Sequence, residues 1–474
     1  MDSILGWSLF LVIVVGLVSS MVNASTAKDD FKFCESVVKK WASFSVDEVK
    51  EDKHTLQDLL FFLHIPRTGG RTYYHCFLKR LYSSKLECPR SYDKLRFDTR
   101  KPDCRLLATH DDYSVMSKLP KEKTSMMTVL RNPVDRVFST YEFSIEVAAR
   151  FLVHPNLTSA SQFSGRLRKK TNAVSTLDIW PWKYLVPWMR EDLFARRDAR
   201  LRNAQNYIQS NDSYDMDSIA MPLHQYINNP IATDIIHNGA TFQVAGLTNN
   251  SYIAESHEVR HCVLKYDDLG KYVLDVAKKR LDNMLYVGLT EDHKESASLF
   301  ADVVGTQIIF QFASSNSSPD NSANEGSEQN SSFSGSELEN DPLQKLTVGE
   351  LMEAYEDCIT KLRKAQARRR ASSLMKISPA NFTKEARLKV PESVHHQIIS
   401  LNKLDVELYR YAQDIFTRRH NHVMYESERQ KNILINSLDS PSLRNVSGPT
   451  VLVLFILLAI LFISARRRTS KVKV

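Results

Sequence analysis

Two short apolar runs, each followed at once by a turn and a helix-forming stretch, constrain this chain more than any other feature. Leu59-Leu60-Phe61-Phe62-Leu63-His64-Ile65 is continuous rather than alternating, the pattern of a strand buried on both faces of a parallel sheet. A glycine-containing loop follows, Pro66-Arg67-Thr68-Gly69-Gly70-Arg71-Thr72, then a helical stretch through Arg80. Met126-Met127-Thr128-Val129-Leu130 repeats the arrangement, with Pro133 where a first helical turn begins and a helix running past Tyr141. Two strand–loop–helix units predict an α/β fold: a parallel sheet flanked by helices, taking ligands at the carboxyl ends of its strands.

The first loop has the chemistry of an anion site. Gly69 and Gly70 let backbone N–H groups approach an oxyanion, and the helix N-terminus adds positive potential. Arg67 and Arg71 supply fixed charge, Thr68 and Thr72 hydroxyl donors. The spacing is not the G-x-x-x-x-G-K-[ST] of a nucleoside-triphosphate loop, which disfavours a kinase or ATPase. In the second loop Arg131 leaves the strand end and Ser139 follows eight residues later, so both can converge on one phosphate. A tight structural turn competes with this reading of the first loop, and the second loop taken alone says little.

The two ends set the expected topology. Ile4 to Val18 is almost wholly apolar and leads through Ser19 and Ser20 to Val22-Asn23-Ala24, a secretory signal cleaved after Ala24. Met1-Asp2-Ser3 lacks the usual Lys or Arg, so an N-terminal anchor is the competing reading. Thr450 to Ala465 is uncharged and mostly Val, Leu and Ile, and Arg466, Arg467, Arg468, Lys471 and Lys473 follow it. That is a membrane helix with a cytosolic tail, short enough to suit a thin early-secretory membrane. The expected organisation is a signal peptide at 1–24, a lumenal domain at 25–449, a membrane helix at 450–465 and a cytoplasmic tail at 466–474. Glycosylation triplets headed by Asn156, Asn211, Asn249, Asn316, Asn330, Asn381 and Asn445 agree with a lumenal location. Of the six cysteines, Cys88 and Cys104 bracket a polar, basic segment and are the expected disulfide pair. Residues 313–343 are rich in Ser, Asn, Gly and Glu and read as a disordered acidic insert.

Charge is informative only once it is placed. The net +8 invites a nucleic-acid reading. Five of the positive charges lie in the tail, one acid, Asp2, lies in the signal segment, and six acids lie in the insert. The lumenal domain therefore carries +4, and its folded part +10. With the basic tail on the cytosolic side and the rest in a lumen, no nucleic-acid partner is expected.

Together the loops resemble the two nucleotide-binding elements of sulfotransferases that use 3′-phosphoadenosine 5′-phosphosulfate (PAPS). In that family the first loop binds the 5′-phosphosulfate, and an Arg followed eight residues later by Ser binds the 3′-phosphate. The resemblance is closest to the heparan sulfate 6-O-sulfotransferase group and covers roughly residues 59–420. Its landmarks are Leu106-Leu107-Ala108-Thr109-His110-Asp111-Asp112-Tyr113, Arg202-Asn203-Ala204-Gln205, Tyr286-Val287-Gly288-Leu289-Thr290-Glu291 and Leu401-Asn402-Lys403-Leu404-Asp405-Val406-Glu407-Leu408-Tyr409. Two features depart from that group. Arg67 stands where Lys is usual, as in the animal tyrosylprotein sulfotransferases, and the topology is type I rather than type II. Both look like the plant tyrosylprotein sulfotransferases, type I Golgi proteins with a 6-O-sulfotransferase-like domain.

The resemblance implies a P-loop-like sulfotransferase fold in a single-pass Golgi membrane protein with a lumenal catalytic domain. It implies PAPS as donor, no metal, and as acceptors the tyrosine hydroxyls of secreted peptide precursors in acidic contexts. A phenol has a pKa of about 10, so a positioned base helps, and His110 matches the family's base position. Arg67 would neutralise charge growing on the bridging oxygen. Arg71 and Thr72, with Thr68, Gly69 and Gly70, would hold the 5′-phosphate, and Arg131 and Ser139 the 3′-phosphate. Arg166, Arg168, Lys169, Lys170 and the Arg368-Arg369-Arg370 run are charge-based candidates for reading an acidic substrate.

Three rival readings remain open. His257-Glu258-Val259-Arg260-His261 is a literal HExxH, the pattern of a lumenal zinc protease. Asn249-Asn250-Ser251 before it favours a loop, and no third ligand is evident. A glycan acceptor keeps the chemistry, with Trp180, Trp182 and Trp188 available to stack on sugars. A non-catalytic receptor is disfavoured by the anion loops.

Overall fold

The computed structural model describes residues 29–45, 53–89, 95, 97–100, 103–171, 190–202, 213–215, 221–315, 346–377 and 380–438. The expected signal peptide, membrane helix and tail lie outside the described residues, as do Trp180, Trp182, Trp188, Asn203, Ala204 and Gln205. The helix Thr306–Ser315 carries the backbone through the first residues of the expected insert, and the rest of that insert also lies outside. The chain up to Phe416 is one compact unit and Thr417–Val474 another. The site described below belongs to the first.

The continuous apolar runs become the strands of a parallel sheet. β1 (Leu59–Leu63) and β3 (Thr124–Leu130) are buried at every position, because helices cover both faces. β1 pairs with β2 (Leu106–Thr109) on one side and with β3 on the other, and β3 pairs with β4 (Tyr286–Leu289). The order is β2-β1-β3-β4. Leu63 lies opposite Thr109 and Thr128, and Leu130 opposite Leu289, so the strands end nearly level. The residue after each strand is His64, His110, Arg131 or Thr290. Parallel pairing thus brings residues from four distant parts of the chain to one sheet edge.

The helix after β3 runs Pro133–Leu152 and begins where the proline predicts. Asn132 caps it, its side chain accepting from the Val134 and Asp135 amides at 3.0 and 3.3 Å. Val137, Phe138, Tyr141 and Ile145 on this helix pack against Ile235, Ile236, Leu374 and Ile398. The apolar pattern from Leu401 to Ile415 is helical but broken: Asn402 separates Glu392–Leu401 from Lys403–Leu438. The Asn402 side chain accepts from the Asn238 amide and donates to Ile398 O.

Cys88 and Cys104 are disulfide-bonded, as the sequence suggests. Cys34–Cys262 ties the 29–45 helix to the helix Ser256–Lys265. Cys76–Cys358 ties a π-helical turn, Tyr74–Leu78, to the long helix Val348–Ser372. His293–Ala313 is long and apolar enough to cross a membrane. Ala297, Leu299, Phe300, Ala301, Val304 and Ile308 on it are core residues, so it is a core helix of this unit.

HExxH does not fall in a loop; the segment is the helix Ser256–Lys265. Val259, Cys262 and Val263 form its buried face, which is why the stretch is helical despite the polar turn before it. His257, Glu258 and His261 are exposed. Among the described residues no group of three or more His, Cys, Asp or Glu side chains comes together to hold a metal ion.

Candidate active site

The first loop is bent by its own residues. Gly69 has φ 80° and Arg67 has φ 68°. The first is ordinary for glycine, and the second is strain of about 1–3 kcal/mol concentrated at a candidate catalytic position. The Thr68 hydroxyl donates to Ile65 O at 2.9 Å, and the Thr72 amide donates to Gly69 O at 2.8 Å. Thr68 therefore closes the loop through its side chain. The helix then starts at Gly70. A Cβ on Gly70 would press into the His64 ring and lie 2.9 Å from Phe62 Cζ. That position has room for backbone only, because the His64 and Phe62 rings fill the space beside it. Arg71 is exposed and Thr72 half-buried beside it.

Arg67 joins the two loops. Its Nε and Nη2 donate to Ser139 Oγ at 3.1 and 2.9 Å, and its carbonyl accepts from Arg131 Nη1 at 3.3 Å. Three of the residues expected to bind the donor thus meet at one place. The Arg67 guanidinium lies 4.5 Å from the centre of the Phe143 ring. Burial pushes its pKa down to about 10, while Glu146 and Glu142 oppose the fall. The group therefore keeps its charge at neutral pH. Arg131 is likewise lowered, first by burial, with Asp135 and Glu291 acting the other way.

The landmark after β4 is the strut between the loops. Thr290 Oγ1 donates to Thr68 O at 2.6 Å and is 3.0 Å from Leu130 O. Glu291 accepts from the Asn132 amide at 3.0 Å and from the Tyr409 hydroxyl at 2.7 Å, with Arg131 Nε 3.9 Å away.

His110 stands across the edge from Arg131, beyond β1. Its Nδ1 is 2.8 Å from His64 O. A carbonyl can only accept, so Nδ1 carries the proton and Nε2 is the basic nitrogen. The ring stacks on His64, with centroids 4.2 Å apart, and His64 stacks on Phe62 at 5.1 Å. Burial pushes the His110 pKa down to about 4, against the opposing bond to His64 O. The imidazole is therefore neutral at neutral pH. Next to it, Asp112 caps the short helix Tyr113–Lys118 through the Ser114 amide. It also accepts from the Thr248 amide and hydroxyl at 2.8 and 2.7 Å.

Sequence reasoning misses the residues that hold this half together. Gln243, on the helix Gly239–Val244, points its amide nitrogen at His110 O (2.9 Å), Asp111 O (3.1 Å) and His64 O (3.4 Å). That helix is seated on Asp405, which accepts from the Thr241 amide and hydroxyl, both at 2.7 Å, and from the Ala240 amide at 3.2 Å. Asp405 also pairs with Arg136 at 2.8 Å, both side chains 1% exposed. Asp405 lies in a landmark segment, which is the available signal. Gln243 lies in none.

A positive patch adjoins the loop. Glu146 pairs with Arg370 and, at 3.6 Å, with Arg150, whose guanidinium lies 5.6 Å from the centre of the Phe143 ring. Arg369 Nε is buried with no hydrogen-bond partner among the described residues. Partial burial, then Arg369 and Arg150, push the Arg71 pKa down. Arg166 is exposed on the helix Leu157–Thr171, and the side chains of Arg168, Lys169 and Lys170 lie outside the described residues.

This arrangement offers a backbone cradle with arginines at the ends of β1 and β3, and a neutral imidazole at the end of β2. It can hold a doubly anionic ligand and deliver a base to a neighbouring hydroxyl. The family described as "Sulfotransferase domain" matches residues 22–182. An Arabidopsis thaliana protein described as "Protein-tyrosine sulfotransferase" is 55% identical over 505 aligned residues, covering 99% of each chain.

Proposed function

Since the chain belongs to the protein-tyrosine sulfotransferases, we propose that the site binds PAPS at the Arg67–Thr72 loop and sulfates tyrosines in acidic surroundings within the Golgi lumen. The enzyme is a protein-tyrosine sulfotransferase. The observation that carries the site assignment is the fixed tautomer of His110, with Nδ1 2.8 Å from His64 O beside the Arg67-bearing loop.

PAPS, when bound, supplies a sulfuryl group already activated on a phosphate leaving group. The residues present fit it: Gly70 packs against the His64 and Phe62 rings with no room for a Cβ, which keeps the loop's tight turn, and Arg67 with Ser139 and Arg131 gathers both loops. Arg71, Thr72 and the loop amides would hold the 5′-phosphate, and Arg131 with Ser139 the 3′-phosphate. Arg67 neutralises negative charge growing on the bridging oxygen, and its retained charge at neutral pH suits that role. His110 Nε2 takes the proton of the acceptor phenol.

Glu146 pairs with both Arg150 and Arg370, and Arg369 lies close enough to help push the Arg150 pKa down, so positive charge exceeds negative charge in this cluster beside the loop. That surplus supports an acceptor with flanking Asp or Glu. The pairing of all six cysteines supports an oxidising lumen. The two apolar ends support a type I orientation, with the membrane helix at 450–465.

One assay tests the whole proposal. The full-length chain is incubated with sulfur-labelled PAPS and a tyrosine peptide, the same peptide with its acids replaced by amides, or a heparan-type glycan. The expected order of labelling is acidic peptide well above neutral peptide, with none on the glycan. Equal labelling of the two peptides would remove the acidic preference, and label confined to the glycan would remove the tyrosine acceptor.

A further inference from the structure

We infer that Gln243 is a positioning residue for the transfer reaction, setting the place and proton arrangement of His110 through the backbone carbonyls of two strand ends. The inference rests on His110 being the base. Gln243 is 1% exposed and lies 133 residues from His110 in sequence. Its amide nitrogen faces three acceptors, His110 O, Asp111 O and His64 O. Only the donor end of an amide can face three carbonyls, so the orientation of the side chain is settled by chemistry.

His64 O is the shared point. It accepts from His110 Nδ1 at 2.8 Å and faces Gln243 at 3.4 Å. The same amide is 2.9 Å from His110's own carbonyl. One side chain thus fixes the end of β1, from which the ring takes its hydrogen bond, and the end of β2, from which the ring projects. Without it, the carbonyl that holds Nδ1–H and the backbone that carries the ring can drift apart. An angstrom of drift in a proton-transferring group costs roughly 100-fold in rate.

The seat of Gln243 is rigid. Its helix is clamped by Asp405 through Thr241 and Ala240, and Asp405 is paired with Arg136 on the helix that carries Ser139. Gln243 is therefore the last link from that buried pair to the base.

The test is a double-mutant cycle on the full-length chain, with kcat, both KM values and the thermal midpoint measured for Gln243→Met, His110→Ala and the double variant. Methionine keeps length and volume but donates nothing. Gln243→Met is expected to lower kcat roughly 100-fold, with both KM values within about threefold and little change in melting. In the His110→Ala background the same change is expected to have no further effect on the residual rate. Additive losses would overturn the inference, as would an unchanged kcat in the single variant. A Gln243→Met chain that does not fold is replaced by Gln243→Asn, which keeps the amide one methylene short, and the same two readings apply. Failure of the base assignment itself shows separately, as near-normal turnover of His110→Ala alone.

Discussion

The Arg67–Thr72 loop and His110, the proposed donor site and base, sit at neighbouring strand ends, yet they are held in opposite ways. The loop is bent by residues within seven positions of one another: Thr68 on Ile65 O, Thr72 on Gly69 O, and two left-handed backbone positions. His110 is held by His64, 46 residues away, and by Gln243, 133 residues away. A local device tolerates change elsewhere in the molecule, whereas a long-range device fails with the packing that supports it.

The largest expected effect breaks the long-range half. Asp405→Ala leaves Arg136 buried and uncompensated and frees the Gly239–Val244 helix. Unfolding titration is expected to show a loss of about 3–5 kcal/mol, and loss of less than about 1 kcal/mol would mean the network is not the support described. On the local half, Arg67→Ala removes the charge proposed to face the leaving oxygen without disturbing the core. Its kcat is expected to fall by roughly 100- to 1,000-fold, with the melting temperature unchanged, and a defect confined to KM would reassign Arg67 to simple binding.

Smaller still is Arg131→Ala, which would remove the proposed charge-assisted phosphate contact, worth about 1.5–3 kcal/mol. Steady-state kinetics are expected to show donor KM raised by roughly one to two orders of magnitude and acceptor KM unchanged. Donor KM within twofold of normal would take the second loop out of the donor site.

The mildest probe is pH. His110 falls from 6.5 to about 4 on folding, so its neutral form persists well below the usual histidine range. The acid limb of kcat/KM is expected near pH 4, and a limb at pH 6.5 would show the base solvated rather than buried. The sign for stability follows from the same shift. Between those two pH values the unfolded chain binds the extra proton, so this group's contribution to stability is lost as pH falls.

The local and long-range halves also differ in how far the amino-acid sequence reveals them. β1, β3, the start of the Pro133 helix and the glycine loop are legible because each is a contiguous pattern with its own physical cause. The HExxH segment reads as a loop because Asn249-Asn250-Ser251 outweighs the buried face made by Val259, Cys262 and Val263, yet that face makes it a helix. Arg131, Ser139 and Arg67 are individually visible, but their meeting at one point depends on parallel register. Gln243 carries no signal: an amide in a buried helix looks the same in sequence whether it orients a base or fills a core. Cys76–Cys358 is of the same kind, joining residues 282 positions apart.

The two halves are proposed to do separable work, the loop holding donor charge and His110 taking the acceptor proton. Turnover and calorimetric donor affinity of full-length His110→Ala, measured on one preparation, test it most directly. The expected result is kcat reduced by at least about 100-fold with donor Kd within twofold of the unaltered chain. Near-normal turnover, or a donor affinity lost along with it, would contradict it.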